Sequence, residues 1–299
     1  MALFGIPYMG SKSSIAIDLM NHLPSGNRFV DLFGGGFAMT HCAMVSGKYQ
    51  NFYFNELNHL IPPLIKRAIN GEFNYNVFKP EFITREKFKE LKDKDGYIKY
   101  CWSFSNQGES YLFGKDVEPY KKSMHDFVVF GIKDDFIKQN MNDIDKYITP
   151  KITDIVKRRL LLRKYIKLKF NKRADLQHLQ QLQQLEQLEQ LERLEINCGS
   201  YEEYVYQDGD VVYCDPPYEG TADYNECLFD FKGFYDWVDS RPYPVYFSSY
   251  NNISDKRFKI IYALGKVSLM KGGGRGKKNK NYECLYCNKA ALELLNATN

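Results

Sequence analysis

This 299-residue chain has no strong surplus of charge, no evident pairing of cysteines and no long apolar run. Its 41 Lys+Arg stand against 37 Asp+Glu, a formal net charge of +4. That balance excludes a polycationic arm but permits a nucleic-acid partner, because what matters is whether the cations gather on one face. Seven cysteines are an odd number, scattered through a chain long enough to build its own core. A disulfide framework is therefore excluded and reduced thiols are expected. The apolar stretch DFVVFGI (126–132) is core-sized and falls well short of the ~20 residues that cross a bilayer. The opening MALFGIPYMGSKSS lacks a cationic segment followed by an apolar one, which argues against a secretion signal. Aromatics, in contrast, are abundant, with 23 Tyr and 21 Phe, too many for a disordered chain. The expectation is a soluble, cytoplasmic α/β or α+β protein without membrane contact, in one large or two modest domains.

The N-terminal part reads as one βαβ unit. RFVDLF (28–33) is a short apolar strand that runs into three glycines, FAMTHCAMVS (37–46) is helical, and NFYFNE (51–56) alternates as a strand. Residues 57–165 change character, with helical stretches such as TREKFKELKDK and TDIVKRRLLLRKYI separated by polar, aromatic connections. Strands return after 208, at VVYC, PVYFSSYN, RFKIIYAL and YECLYC. Strands bracketing helices at both ends imply one sheet built from both ends of the chain, with a helical block inserted between. The segment LQHLQQLQQLEQLEQLERLEI places Leu at every third position from 176 to 194. At about 3.6 residues per turn, seven such leucines circle a helix rather than line one face. The segment reads either as a tolerated repeat expansion in a helical connector or as a partner-binding arm.

Asp215-Pro216-Pro217-Tyr218 is the sharpest chemical signal. It follows an apolar strand, at the sheet edge where α/β proteins bind ligands. Two prolines stiffen the backbone and leave the Pro216 carbonyl outside the strand ladder. A carboxylate, a carbonyl and a flat ring together suit a planar amine such as the exocyclic NH2 of a nucleobase; a plain strand-end turn would use the same residues. Gly34, Gly35 and Gly36 let a ligand approach the backbone. Glu56, about twenty residues on, ends the next strand where an acid can accept bonds from a ribose. Together they favour an adenosine-type cofactor.

PYMGSK (7–12), FGGGF (33–37), NELN (55–58) and DPPY (215–218), in that order, resemble the class-alpha (Dam-type) adenine-specific DNA methyltransferases. The SFSNQGESYLFGKDVEPYKK stretch and the leucine triplets resemble members encoded by phages and prophages. The resemblance spans nearly the whole chain. It implies a Rossmann-like, mixed seven-stranded methyltransferase sheet from residues 1–59 and 166–299, with a mostly helical target recognition domain at 60–165. It also implies methyl transfer from S-adenosylmethionine to the amino group of adenine in double-stranded DNA, with base flipping and no metal. Asp215, Pro216, Pro217 and Tyr218 would hold the target base. Tyr8, Lys12, Asp31, Phe33, Gly34, Gly35, Gly36, Glu56, Ser200, Tyr201 and Asp215 would hold the cofactor. Lys12, Lys115, Lys121, Arg275, Lys277 and Lys278 would contact DNA, the last three from the basic loop KGGGRGKKNKNY (271–282). A monomer in a bacterial host cell is expected, with a cognate restriction nuclease left open as a partner.

Two departures stand out. The family pattern puts glycine where this chain has Phe37, whose side chain would either narrow the cofactor pocket or turn to the core. Ser200-Tyr201 stands where the family often has Asp before an aromatic. Cys284-x-x-Cys287 has zinc-like spacing without a second pair, and reads as core thiols. Two alternatives stay open: a methyltransferase of another planar amine (RNA adenine or protein glutamine), and an inactive DNA-binding remnant.

Overall fold

The computed structural model describes residues 4–76, 78–171, 180–189, 191–220, 229–267 and 281–297. Among these, the short apolar runs form one sheet of seven strands. They are β1 (Arg28–Asp31), β2 (Asn51–Asn55), β3 (Leu194–Asn197), β4 (Asp210–Cys214), β5 (Val245–Tyr250), β6 (Lys259–Val267) and β7 (Tyr282–Cys287). Their order is β3-β2-β1-β4-β5-β7-β6. The pairs from β3 through to β5 are parallel, and β7 runs antiparallel to both β5 and β6. This is the expected α/β class, with the expected mixed, Rossmann-like sheet of seven strands.

The central strands lack polar alternation because both their faces are covered, as parallel sheets require. Every residue of β4 is buried, as are the last three of β1. On one face the helices Ala16–His22 and Ala38–Ser46 bring Leu19, Met20, Met39 and Cys42 against Phe29, Phe52 and Tyr213. On the other, helix Phe231–Asp239 brings Phe234, Trp237 and Val238 against Val30, Val212 and Phe247. Cys284 packs in the second cluster and Cys287 in the first. The two thiols point to opposite faces of the sheet and cannot share a metal ion, as core thiols would have it. The bidentate pair from Arg28 to Asp210, 2.8 Å at both oxygens, ties the starts of the adjacent strands β1 and β4.

The chain divides into two compact units, one of Met1–Gly5, Ser11–Pro62 and Leu188–Asn299, the other of Ile6–Gly10 and Pro63–Gln187. All seven strands belong to the first. The second is helical, with Phe127, Val128, Ile137, Ile144, Leu162 and Tyr165 in its core. Residues 166–187, assigned by sequence to the sheet-bearing part, fall in this helical unit. Within the leucine repeat, helix covers only Gln180–Leu185 among the described residues, a 3-10 turn follows at Leu191–Arg193, and Leu194 opens β3. A helix through to 194, the sequence expectation, is therefore corrected. Leu182, Leu185 and Leu188 are all buried; stopping the helix after Leu185 frees the later leucines from the rotation that would have scattered them.

Candidate active site

The parallel strands all end at one edge of the sheet, the crevice where open α/β sheets take ligands. Asp31 ends β1, Asn55 ends β2 just before Glu56, Asn197 ends β3 shortly before Ser200 and Tyr201, and Cys214 ends β4 just before Asp215. Because β7 runs the other way, its first residues start at this same edge, with Glu283 opposite Tyr250 at the end of β5. Asn55, a buried side chain, stitches the edge together. Its amide donates to the Leu32 and Gly199 carbonyls at 3.2 and 2.9 Å and accepts from Asn197 at 2.7 Å.

The turn after β1 needs its glycines. A Cβ on Gly34 would stand 2.0 Å from the Phe54 ring, and Gly35 has φ +46°. The Gly35 N–H donates to Glu56 Oε2 at 2.7 Å, and the Asn58 N–H to Glu56 Oε1 at 2.8 Å. Burial raises the Glu56 carboxyl pKa, against the pull of these backbone bonds. Phe37 has φ +67°, in the left-handed region where glycine is at home, and its fully buried ring packs edge-on against Phe54 at 5.2 Å. Its side chain has turned to the core. Phe33 lies half-buried, its ring stacked on Tyr201 at 5.0 Å, while Ser200 Oγ accepts from the Glu202 N–H.

Asp31 is 1% exposed. Its Oδ2 accepts from the Thr40 hydroxyl at 2.9 Å, and its Oδ1 is buried with no hydrogen-bond partner among the described residues. Burial first, then the charges of Asp215 and Glu56, push its pKa up to about 7 against the Thr40 hydrogen bond.

Beyond β4, Pro216 is buried and Asp215, Pro217 and Tyr218 are half-buried. Lys12 Nζ sits 2.6 Å from Asp215 Oδ2 and 3.7 Å from Glu283 Oε1. The Tyr218 hydroxyl donates to Asp215 Oδ1 at 3.1 Å and contacts Glu283 Oε1, and the Lys12 ammonium lies 4.8 Å from the centre of the Tyr218 ring. Burial pushes the Asp215 carboxyl up to about 6; Lys12 pulls it down and Glu283 adds to the rise. Both Asp215 oxygens are thus engaged, Oδ2 by Lys12 and Oδ1 by Tyr218, and both partners favour its carboxylate form.

The sheet unit thus holds Lys12, Asp31, Phe33, the three glycines, Glu56, Ser200, Tyr201 and the Asp215–Tyr218 run. Lys12, expected near cofactor and DNA, is ion-paired with Asp215 itself. Tyr8 belongs to the helical unit, its ring 5.1 Å from that of Tyr100. In the same unit Lys115 is exposed, while Lys121 is half-buried with its ammonium 5.5 Å from the Phe113 ring centre. Arg275, Lys277 and Lys278 lie outside the described residues. Sequence reasoning missed Asn55 and Glu283. Nothing in NELN or YECLYC tells which way a strand runs or which side chain faces the edge.

With this geometry in view, residues 8–236 match the family model described as the D12 class N6 adenine-specific DNA methyltransferase.

Proposed function

This chain belongs to the D12 class N6 adenine-specific DNA methyltransferase family, and on that premise we propose that the Asp215–Tyr218 edge receives the target adenine and that the β1–β2 edge holds the methyl donor. The family's activity is methylation of adenine in DNA, with S-adenosylmethionine as the general donor. The observation that carries the residue assignment is the placement of Asp215 at the carboxyl edge of β4, one strand from the buried, unengaged oxygen of Asp31.

That oxygen is also the test of fit for the donor. A buried carboxylate oxygen without a donor is costly, and an ammonium such as that of a methionine group relieves the cost. The glycine turn keeps side chains off the backbone there, and Phe37 leaves the turn clear by facing Phe54. In this reading Asp31, Phe33, Gly34, Gly35, Gly36, Glu56, Ser200 and Tyr201 hold the donor, joined by Lys12. The Glu56 oxygens accept the Gly35 and Asn58 N–H groups, and a carboxylate has about four acceptor positions, enough to take a ribose hydroxyl as well. When bound, S-adenosylmethionine supplies an electrophilic methyl group.

The adenine amine is a poor nucleophile because its lone pair is delocalised into the ring. Asp215 and the Pro216 carbonyl accept its two N–H bonds and favour the pyramidal, localised form. These bonds strengthen as positive charge builds on nitrogen, so they stabilise the transition state more than the ground state. Tyr218 stacks on a base that has left the duplex, because the amine is out of reach inside it. Fixing amine and donor in line supplies most of the remaining acceleration. The helical unit serves as the target recognition domain, with Lys115 and Lys121 as its phosphate or base contacts.

Asp215→Ala tests the assignment. Methyl incorporation into DNA should fall to background while DNA affinity, measured by fluorescence anisotropy, stays within about twofold of wild type. Methylation that survives the substitution would refute it.

A further inference from the structure

Glu283 lies outside the stretch that matches the family model, yet it is built into the same edge. Its side chain is 15% exposed, it takes the Tyr218 hydroxyl, and it stands 3.7 Å from a Lys12 ammonium that is 2.6 Å from Asp215. Two carboxylates thus share one ammonium and one phenol. Lys12 sits on Asp215 Oδ2 and Tyr218 on Oδ1, so a substrate amine that engages this carboxylate must compete with the lysine. Driving an ammonium off its counter-ion inside a half-buried site is expensive unless a second anion is at hand. Glu283 is that anion, already in contact distance, and the antiparallel course of β7 is what brings it there.

Resting on the reading above, we propose that Glu283 is a positioning residue that takes over the Lys12 ammonium when the adenine amine engages Asp215, while anchoring the Tyr218 ring through its hydroxyl. No proton needs to move in this exchange; one ion pair replaces another, and the net charge of the group is unchanged. The titratable groups that interact with Asp215 are Lys12 from the turn Lys12–Ser14, Asp31 from β1, Tyr213 and Cys214 from β4, Tyr218, and Glu283 from β7. Of these, Lys12 lowers the Asp215 pKa and Glu283 raises it.

The test uses the full chain, a DNA duplex carrying the target adenine, and kcat/KM measured from acid to neutral pH. Glu283→Gln should lower kcat/KM on the order of tenfold in the wild-type background, but by about twofold or less when Lys12→Met is already present, because the two act as a unit. Removing the Glu283 charge also removes a repulsion on Asp215, so the acid limb of the profile should move to lower pH. Glu283→Asp, which keeps the charge, should leave that limb in place, and it carries the comparison if the glutamine variant fails to fold. Additive losses in the double variant would overturn the exchange, as would an acid limb no different between Glu283→Gln and wild type or, should the glutamine variant not fold, between Glu283→Asp and Glu283→Ala. A wild-type chain that methylates no adenine would sink the parent reading with it; a wild-type chain that methylates while Glu283 and Lys12 prove independent overturns this inference alone.

Discussion

Phe37 offers a test in which the sequence departure and the backbone meet. The residue sits at φ +67° with its ring fully buried against Phe54. A left-handed backbone costs a non-glycine residue roughly 1–2 kcal/mol, and burying a phenyl ring returns about 3–5 kcal/mol, judged from truncations to alanine. The ring outweighs the strain, which is why this position tolerates a side chain where the family pattern has none. Phe37→Ala loses the ring and keeps the strain, so it should destabilise by about 3–5 kcal/mol. Phe37→Gly loses the ring and one methyl more but sheds the strain, so it should be the more stable of the two by about 1 kcal/mol. This inverts the usual order of alanine above glycine. Equilibrium urea unfolding of both variants measures it through their midpoints. Because the ring faces the core, calorimetric titration with S-adenosylmethionine should give affinities within about threefold of wild type, less than 1 kcal/mol. An alanine variant as stable as the glycine one would refute the left-handed backbone. An affinity that climbs tenfold when the ring is removed would refute the inward orientation and revive the blocked-pocket alternative.

Two further outcomes follow from the buried charges. The Asp31 carboxyl rises from 3.8 to about 7 on folding. A raised acid pKa means the folded chain binds the proton more tightly, so its contribution is intact below about pH 4 and is lost as pH climbs through about 7. Asp31→Asn should therefore stabilise the ligand-free protein above pH 7, by on the order of 4 kcal/mol at most, and make no difference near pH 4. Thermal melts at the two pH values decide it, and equal shifts at both would contradict the burial argument. At the opposite edge of the sheet, Asp210 is 1% exposed at its side chain and holds Arg28, Tyr204 and the Gln207 N–H. Asp210→Ala should cost about 3–5 kcal/mol by stranding the guanidinium between β1 and β4, read as a lowered urea midpoint. A loss under 1 kcal/mol would show that the pair is not doing the tying.

Some of this was legible in the linear chain because it depends on neighbours in sequence. A strand that runs into Gly34-Gly35-Gly36, an acid at 56 and a double proline at the end of a buried strand each declare local backbone geometry, and their order pointed to the methyltransferase resemblance. The helical character of the insert was equally local, since it follows from periodicity and composition. The orientation of Phe37 was not, because a left-handed φ and an inward ring depend on the space beside Phe54. Nor was the end of the leucine-repeat helix, where burial of Leu182, Leu185 and Leu188 and the start of β3 at Leu194 override propensity. The pairing of Lys12 with Asp215 joins residues some two hundred positions apart, and Glu283 enters only because β7 runs antiparallel to β5. Strand direction is set by pairing between distant segments, and a single strand carries no mark of it. The motifs thus determined which carboxylate, carbonyl and ring stand together at the end of one strand, while the tertiary structure decided which charges surround that carboxylate.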